Sequence, residues 1–324
     1  MIATFAIAIA AGCASALMFA SILSGALISL LLLYFAPLPL MVAGLGWGPL
    51  AATIGGIAAA SALGAIFGLS HGLGFAVTVA LPAWWLGHLA LLGRPVSAGL
   101  SSGNGAAPVA PALEWYPVGR ILLWIAGFAI LTAIVILLTL GSDAEAITGT
   151  LRRGLLRFFG PRDTATGADI ERIVDAFVTI APAAVTITAM LRLTLNLWLA
   201  AKITATSGRL HRPWPDLKTT AMPPMTLAAL SVALAFCFVG GLSALFAQTV
   251  ATALMMAYAI VGFAVLHTLT LALRYRAYWL TCAYTIVAVL TWSMLVMVAI
   301  GLADAVFGFR QRFLRKRPPP LPAS

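Results

Sequence analysis

Residues 1–37 read MIATFAIAIAAGCASALMFASILSGALISLLLLYFAP and contain no Asp, Glu, Lys or Arg. The charge-free run continues to Gly93. About 20 apolar residues in helical form cross the hydrocarbon core of a bilayer, so this run is several times longer than one span requires. A segment of this kind must fold back on itself, and it predicts several transmembrane helices.

The rest of the composition agrees with a membrane protein. Of 324 residues, 62% are hydrophobic and only 9% are charged, whereas a soluble domain carries about 25% charged residues. The net charge of +10 would suggest nucleic acid in a soluble protein. Here the basic residues fall in loops and in the tail, where they face anionic lipid and the cytoplasm. We expect the lipid bilayer as a partner and no nucleic acid.

The apolar pattern predicts an all-α, polytopic transmembrane bundle of eight or nine spans. A charge-free block covers 1–93, a Gly-, Ser- and Pro-rich linker 94–117, a second transmembrane block 118–308, and a basic, Pro-rich tail 309–324. Prolines and glycines predict that residues 37–48 are irregular or form a short re-entrant segment. The predicted helices are 2–21, 23–36, 49–69, 73–92, 118–140, 169–206, 225–240, 243–272 and 277–303.

The segment 142–160 is predicted to be an amphipathic helix. Ser142 can cap its N-terminus. Apolar residues then recur on one face while three arginines lie elsewhere, which is typical of a helix lying in the membrane interface. A short helix packed on other loops is the alternative. The stripe is Ile147, Leu151, Leu155 and Phe158, and the arginines are Arg152, Arg153 and Arg157.

Five small residues recur at intervals of four in and just after the predicted helix 49–69. Small residues at this spacing let two helix backbones approach closely. The pattern fits either a helix–helix seam within this chain or a docking face for a partner membrane subunit or a second copy. The residues are Gly56, Ala60, Gly64, Gly68 and Gly72.

Arg192 and Asn196 lie four residues apart on one face of the predicted helix 169–206. A charged residue inside a span is costly and usually faces the bundle interior or a cavity. Arg192 lies about 21 Å from the helix end at 1.5 Å per residue, too far for it to reach the interface easily. We expect either a structural arginine, paired with backbone carbonyls or with Asp304, or a polar ligand pocket formed by Arg192, Asn196 and His267.

His267 has two interpretations, a hydrogen-bonded structural residue or a proton relay. Elsewhere, no His, Cys, Asp or Glu cluster has the spacing of metal ligands, and no phosphate loop or nucleophile motif is present. The titratable residues in the apolar runs are scattered. We therefore expect no catalytic residues, no metal and no cofactor, and we do not expect an enzyme.

The last predicted span ends in Gly301-Leu302-Ala303-Asp304-Ala305-Val306-Phe307-Gly308-Phe309-Arg310. We expect Phe307 and Phe309 to be embedded, with Asp304 and Arg310 at the water boundary. This stretch resembles the end of the YybS-like bacterial membrane proteins, also called domain of unknown function 2232. The resembling residues are Gly301, Asp304, Phe307, Phe309 and Arg310.

The resemblance implies a multi-pass protein of the bacterial inner membrane without an assigned activity. Such proteins are distantly similar to the substrate-binding subunits of energy-coupling-factor transporters, which capture a small ligand and dock on an energising module. We therefore expect a small-solute transporter component. The alternative is a non-catalytic scaffold or assembly protein that holds a partner or lipid. The dense basic tail predicts a cytoplasmic C-terminus.

Overall fold

Helices dominate this computed structural model, which describes residues 2–96, 112–159, 167–216 and 220–315. The bilayer core offers no water to backbone N–H and C=O groups, so apolar segments satisfy these groups internally by forming helices. The described helices are α1 (Ile2–Ala20), α2 (Leu27–Phe35), α3 (Leu38–Trp47), α4 (Pro49–Phe67), α5 (Leu69–Phe75), α6 (Leu81–Leu91), α7 (Val118–Leu140), α8 (Ala144–Phe159), α9 (Gly167–Thr206), α10 (Met225–Phe236), α11 (Gly241–Leu269), α12 (Arg276–Val289), α13 (Met294–Phe307) and α14 (Phe309–Arg315).

The chain is a polytopic all-α membrane protein. In the described residues, seven helical segments are long and apolar enough to cross a membrane, or eight if the bent pair α13–α14 counts as one span. The helix α12 has only 14 residues, about 21 Å at 1.5 Å per residue, which is short of a hydrocarbon core of about 30 Å. The seven segments are Ile2–Ser24, Leu27–Trp47, Pro49–Phe67, Leu69–Leu91, Val118–Leu140, Asp169–Thr206 and Gly241–Ala272.

Two compact units divide the chain. The first unit is Met1–Ile125 with Leu191–Pro215, and the second is Ala126–Met190 with Asp216–Ser324. The second half of α9 is grouped with the N-terminal helices. The division into the blocks 1–93 and 118–308 stays a prediction.

In the first unit, α4 packs against α1, α3, α5 and α6. Glycines let the backbones of α1 and α4 touch. A β-carbon added at Gly12 would collide with the carbonyl of Gly55, and one added at Gly55 would collide with the carbonyl of Ala8. Close contact of this kind supplies the van der Waals packing that holds helices together when both are surrounded by lipid.

Residues 37–48 are helical, so the prediction of an irregular segment was wrong. The helix α3 occupies Leu38–Trp47, with a proline in its first turn, where the missing N–H removes no hydrogen bond. The helices α2 and α3 together make one of the seven segments that are long and apolar enough to cross a membrane. The chain then turns at Gly48, whose φ of 93° suits glycine.

A two-stranded antiparallel sheet pairs the start of the predicted linker 94–117, together with Gly93, with its end. The strands are β1 (Gly93–Val96) and β2 (Ala112–Trp115). At the surface, Arg94 Nη2 lies 2.6 Å from Glu114 Oε2. Residues 97–111 of the predicted linker lie outside the described residues.

In the second unit, the 29-residue α11 packs against α8, α10, α13 and α14. The buried Tyr258 hydroxyl lies 2.6 Å from the Thr226 hydroxyl and so links α11 to α10. The pairing satisfies two polar groups that would otherwise be costly to bury.

The prediction of one helix over 277–303 was wrong. The helix α12 ends at Val289, a 3₁₀ turn covers Thr291–Ser293, and α13 begins at Met294. Ser293 Oγ donates to the carbonyl of Leu290 at 2.6 Å. Such a side-chain bond offers the backbone an alternative to the helical ladder.

The predicted helix at 142–160 is present as α8. Its N-terminal cap is Asp143 rather than Ser142, since Asp143 Oδ1 accepts the N–H of Ala146 at 2.8 Å. Ile147 is fully buried, whereas Phe158 at the other end of the apolar stripe is 84% exposed. Arg152 forms a 2.8 Å ion pair with Asp175 of α9. The location of α8 in the membrane interface stays a prediction.

Candidate functional site

Arg192 and Asn196 are buried in the first unit, one turn apart on α9. Arg192 is 9% exposed and Asn196 is 0% exposed. An unpaired buried charge is costly, so such a residue normally has a carboxylate partner or several hydrogen bonds. The hydrogen-bond partners of these two side chains therefore show how far the cost of burying them is met.

Arg192 binds the backbone of the fourth span. Its Nη2 donates to the carbonyl of Thr78 at 2.9 Å. Thr78 lies in a π-helical segment, Ala76–Ala80, between α5 and α6. Four residues after Thr78 comes Pro82, which has no N–H to offer that carbonyl. The guanidinium thus supplies a donor where the proline withholds one.

Asn196 binds a second interrupted helix. Its Nδ2 donates to the carbonyl of Tyr34 at 2.9 Å and to the carbonyl of Arg192 at 2.7 Å. Tyr34 lies in the last turn of α2, where helix carbonyls lack intrahelical donors. Since both neighbouring atoms are acceptors, the amide nitrogen must point toward them and Oδ1 must point away.

Two polar atoms of this site are buried without a hydrogen-bond partner, Arg192 Nε and Asn196 Oδ1. The first is a cationic donor and the second is an acceptor. A buried donor or acceptor left unpaired costs about 1–3 kcal/mol, and more when the group is charged. The site therefore holds one unsatisfied donor and one unsatisfied acceptor, on side chains four residues apart on α9.

The bond to the carbonyl of Thr78 is the kind of contact expected of a structural arginine, and the choice between that role and a ligand pocket stays a prediction. Asp304 belongs to the second unit, where its carboxylate binds Arg310, with Nη2 2.7 Å from Oδ2. Both side chains are 6% exposed, and their location at the water boundary stays a prediction. Burial requires them to pair with each other.

His267 also lies in the second unit. Its Nε2 is 2.7 Å from the hydroxyl of Tyr284, and Arg276 Nη2 approaches its Nδ1 at 3.4 Å. Because an arginine can only donate, Nδ1 is the acceptor and the neutral ring carries its proton on Nε2. Phe263 stacks on Tyr284 with ring centroids 5.3 Å apart. The grouping of His267 with Arg192 and Asn196 in one ligand pocket stays a prediction.

The predicted small-residue ridge does not continue along one helix. Gly68 ends α4 with a φ of 94°, and α5 turns back. A β-carbon at Gly72 would lie 2.8 Å from the carbonyl oxygen of Ala60 and 2.9 Å from the α-carbon of Gly64. A β-carbon added at Gly56 would lie 3.2 Å from the β-carbon of Ala80. These residues form a seam within the chain, and their use as a docking face stays a prediction.

Arg212 is a residue whose contacts the sequence did not indicate. It donates to the carbonyl of Ala90 at 3.1 Å and to the carbonyl of Tyr116 at 3.0 Å, so it ties the loop after α9 to the end of α6 and to the start of α7. Burial lowers its pKa from the ordinary arginine value. Its only sequence signal was a basic residue beside Pro213. Its partners are backbone carbonyls, which every residue has, so the sequence does not single them out.

Residues 161–305 match the family model described as "Predicted membrane protein (DUF2232)". Over these residues the chain is similar to that family. The match covers slightly less than half of the chain and includes Arg192, Asn196 and His267. No curated protein and no solved structure matches the chain.

The DUF2232 match confirms the resemblance to that family. It includes Gly301 and Asp304 and ends at residue 305, before Phe307, Phe309 and Arg310. The likeness to energy-coupling-factor subunits stays a prediction.

Proposed function

We propose that this DUF2232 protein is a small-solute transporter component whose solute binds at Arg192 and Asn196. The observation that carries the proposal is the pair of buried, unpartnered atoms, Arg192 Nε and Asn196 Oδ1. Polar groups inside a membrane span are costly and usually mark the path or the site of a polar solute.

The two unpartnered atoms, Arg192 Nε and Asn196 Oδ1, favour one chemical class of solute. Arg192 Nε–H favours a carboxylate or another anionic oxygen, because hydrogen bonds between charged partners are roughly twice as strong as neutral ones. Asn196 Oδ1 favours an N–H or O–H group next to it. Small amino or hydroxy carboxylates combine these two features in one molecule.

The backbone contacts keep the site in position. Arg192 Nη2 is held by Thr78, and Asn196 Nδ2 is held by Tyr34. Each acceptor lies at an interruption of its own helix, and irregular backbone at membrane depth is found where it is covered by protein or lines a cavity. The free atoms are thus preorganised for a ligand.

The test uses the full-length protein purified in mild detergent. Native mass spectrometry measures bound small molecules, and thermal unfolding is recorded with millimolar glycine, lactate or acetate. We expect wild type to carry a stoichiometric small molecule, or to be stabilised by glycine or lactate more than by acetate. Ligand binding to the folded state alone raises the unfolding free energy by RT ln(1 + [L]/Kd).

Asn196→Leu is the informative variant and Thr194→Val is its matched control. Thr194 also has a buried, unpartnered oxygen on α9, but it lies about 200° around the helix from Arg192. We expect Asn196→Leu to lose the ligand response and Thr194→Val to keep it. Equal responses in both variants, or none in wild type, would reject the site. A co-purifying protein without any small molecule would favour the scaffold alternative.

We also propose that the protein resides in a bacterial inner membrane with its C-terminus in the cytoplasm. The support is the density of arginine and lysine next to the last helix, which the positive-inside rule assigns to the cytoplasmic side. These residues are Arg310, Arg312, Arg315, Lys316 and Arg317. Modification by a membrane-impermeant thiol reagent of a cysteine placed at Ser324 would test the orientation.

A further inference from the structure

The last two described helices meet at a sharp, well-defined bend. The axes of α13 and α14 differ by 64°, and Gly308 between them has a φ of 64°. Only glycine adopts this left-handed conformation without a steric penalty. The N–H of Gly308 donates to the carbonyl of Asp304 at 2.8 Å and closes the end of α13.

The carboxylate of Asp304 holds the bend. Its Oδ1 accepts the backbone N–H of Arg310 at 2.9 Å, and its Oδ2 accepts Arg310 Nε at 2.8 Å. Because one carboxylate binds both the backbone and the side chain of Arg310, it fixes the direction in which α14 leaves α13.

The bend leaves two arginines and two aromatic rings on the surface. Arg312 and Arg315 are exposed. The rings of Phe307 and Phe309 lie 5.6 Å apart and are 53% and 40% exposed. Residues three apart on a helix are neighbours, so Phe309, Arg312 and Arg315 form one row. We name Phe307, Phe309, Arg312 and Arg315 the aromatic–arginine patch.

No acid neutralises this patch within the described residues. In the part of the chain that the structure describes, neither Arg312 nor Arg315 forms a salt bridge, and the carboxylate of Asp304, the only Asp or Glu that follows Asp216 in the sequence, is taken by Arg310. Two guanidinium groups without a carboxylate favour a phosphate, which they can bind through paired N–H donors.

We propose that the aromatic–arginine patch binds an acidic phospholipid. The phosphate lies on Arg312 and Arg315, and the upper acyl chains lie against Phe307 and Phe309. The exposed rings favour a lipid over a soluble phosphate, because aromatic side chains at the end of a span sit at the boundary between headgroups and acyl chains. This proposal does not depend on the solute site.

The test is a native mass spectrometry titration of the full-length protein in detergent. The probes are phosphatidylglycerol and phosphatidylcholine with identical acyl chains. A basic residue near an anionic membrane surface contributes about 1 kcal/mol, so Arg312→Gln with Arg315→Gln should weaken phosphatidylglycerol binding about thirty-fold. Binding of phosphatidylcholine should weaken less, because the choline ammonium offsets the charge of its phosphate. Phe307→Ala with Phe309→Ala should weaken both lipids, since both carry the same chains.

The matched control is Lys316→Gln with Arg317→Gln, which removes two charges from the adjoining tail. We expect this control to keep the preference for phosphatidylglycerol. An equal loss in both double variants would overturn the proposal, because it would reflect net charge alone. Unchanged binding after Arg312→Gln with Arg315→Gln would overturn it as well. Displacement of the lipid by millimolar inorganic phosphate would instead indicate a soluble-anion site.

Discussion

Gly301 of α13 lies directly against Gly262 of α11. A β-carbon added at Gly301 would lie 3.1 Å from the backbone nitrogen of Gly262 and would collide with the carbonyl of Tyr258. A β-carbon added at Gly262 would collide with the carbonyl of Met297. The two backbones are therefore in contact, and even a methyl group at either glycine requires the helices to separate.

Gly301→Ala should destabilise the second unit. Overpacking of a tight contact costs about 1–3 kcal/mol. Separation of the two helices also loses the van der Waals packing that holds them together in lipid. Thermal unfolding of the purified protein measures the effect. Gly127→Ala in α7 is the control, because nothing lies within 4 Å of its added β-carbon. Equal unfolding midpoints for the two variants would show that α11 and α13 can separate at little cost.

Asp304→Asn should lower the free energy of unfolding more than the loss of a surface ion pair does. Removing one partner of a buried pair leaves the other charge uncompensated and costs about 3–5 kcal/mol. Arg94→Gln is the control, since Arg94 and Glu114 are 79% and 52% exposed, and exposed pairs contribute at most about 1 kcal/mol. Unfolding midpoints measured at the same pH and salt compare them. If Asp304→Asn is as mild as the control, the pair does not hold the bend.

Gly72→Ala and Gly64→Ala should show whether the small residues of α4 and α5 form only a helix–helix seam or also a docking face. At Gly72 the new methyl group meets backbone atoms of α4, so we expect a loss of about 1–3 kcal/mol. At Gly64 the nearest atom is 3.9 Å away, so alanine fits and should stabilise the helix by about 0.5–1 kcal/mol. Unfolding midpoints of both variants are compared with that of wild type. A Gly64→Ala protein that folds normally but loses a co-purifying subunit would reveal a docking function.

The sequence predicted the bounds of a helix best where a single apolar run was the dominant signal. The helix Val118–Leu140 was predicted with its observed bounds, because a continuous apolar run lies between Pro117 and Gly141. Residues 37–48 were misjudged because Pro37 and Pro39 resemble a turn, although a proline in the first helical turn is tolerated. No proline or glycine marks the break at Leu290, which depends on a side-chain bond from Ser293.

The sequence predicted the two side chains of the candidate site but not their partners. The cost of a charge in a span pointed to Arg192, and the spacing of four added Asn196. Their partners are the carbonyls of Thr78 and Tyr34, more than one hundred residues away in the chain. Every residue has a carbonyl, so no residue type could reveal these contacts. Pro82 gives a weak signal for one of them, since it lies four residues after Thr78 and has no N–H for that carbonyl.

Arg192→Lys should distinguish a ligand-binding arginine from a structural one. Lysine keeps the charge and can donate to the Thr78 carbonyl, but it has no N–H at the position of Nε. We expect a stability loss below about 3 kcal/mol, the upper range for a hydrogen bond to a charged group. We also expect the folded variant to lose its bound small molecule.

Native mass spectrometry of the folded fraction measures occupancy, and thermal unfolding measures stability. Lys202→Arg is the control, because Lys202 lies on the same helix with its Nζ 4.5 Å from the centre of the Trp214 ring, a contact that arginine can also make. It should leave occupancy unchanged. An Arg192→Lys protein with full occupancy and lower stability would mean that Arg192 only joins α9 to the backbone near Pro82, and the solute site would have to lie elsewhere.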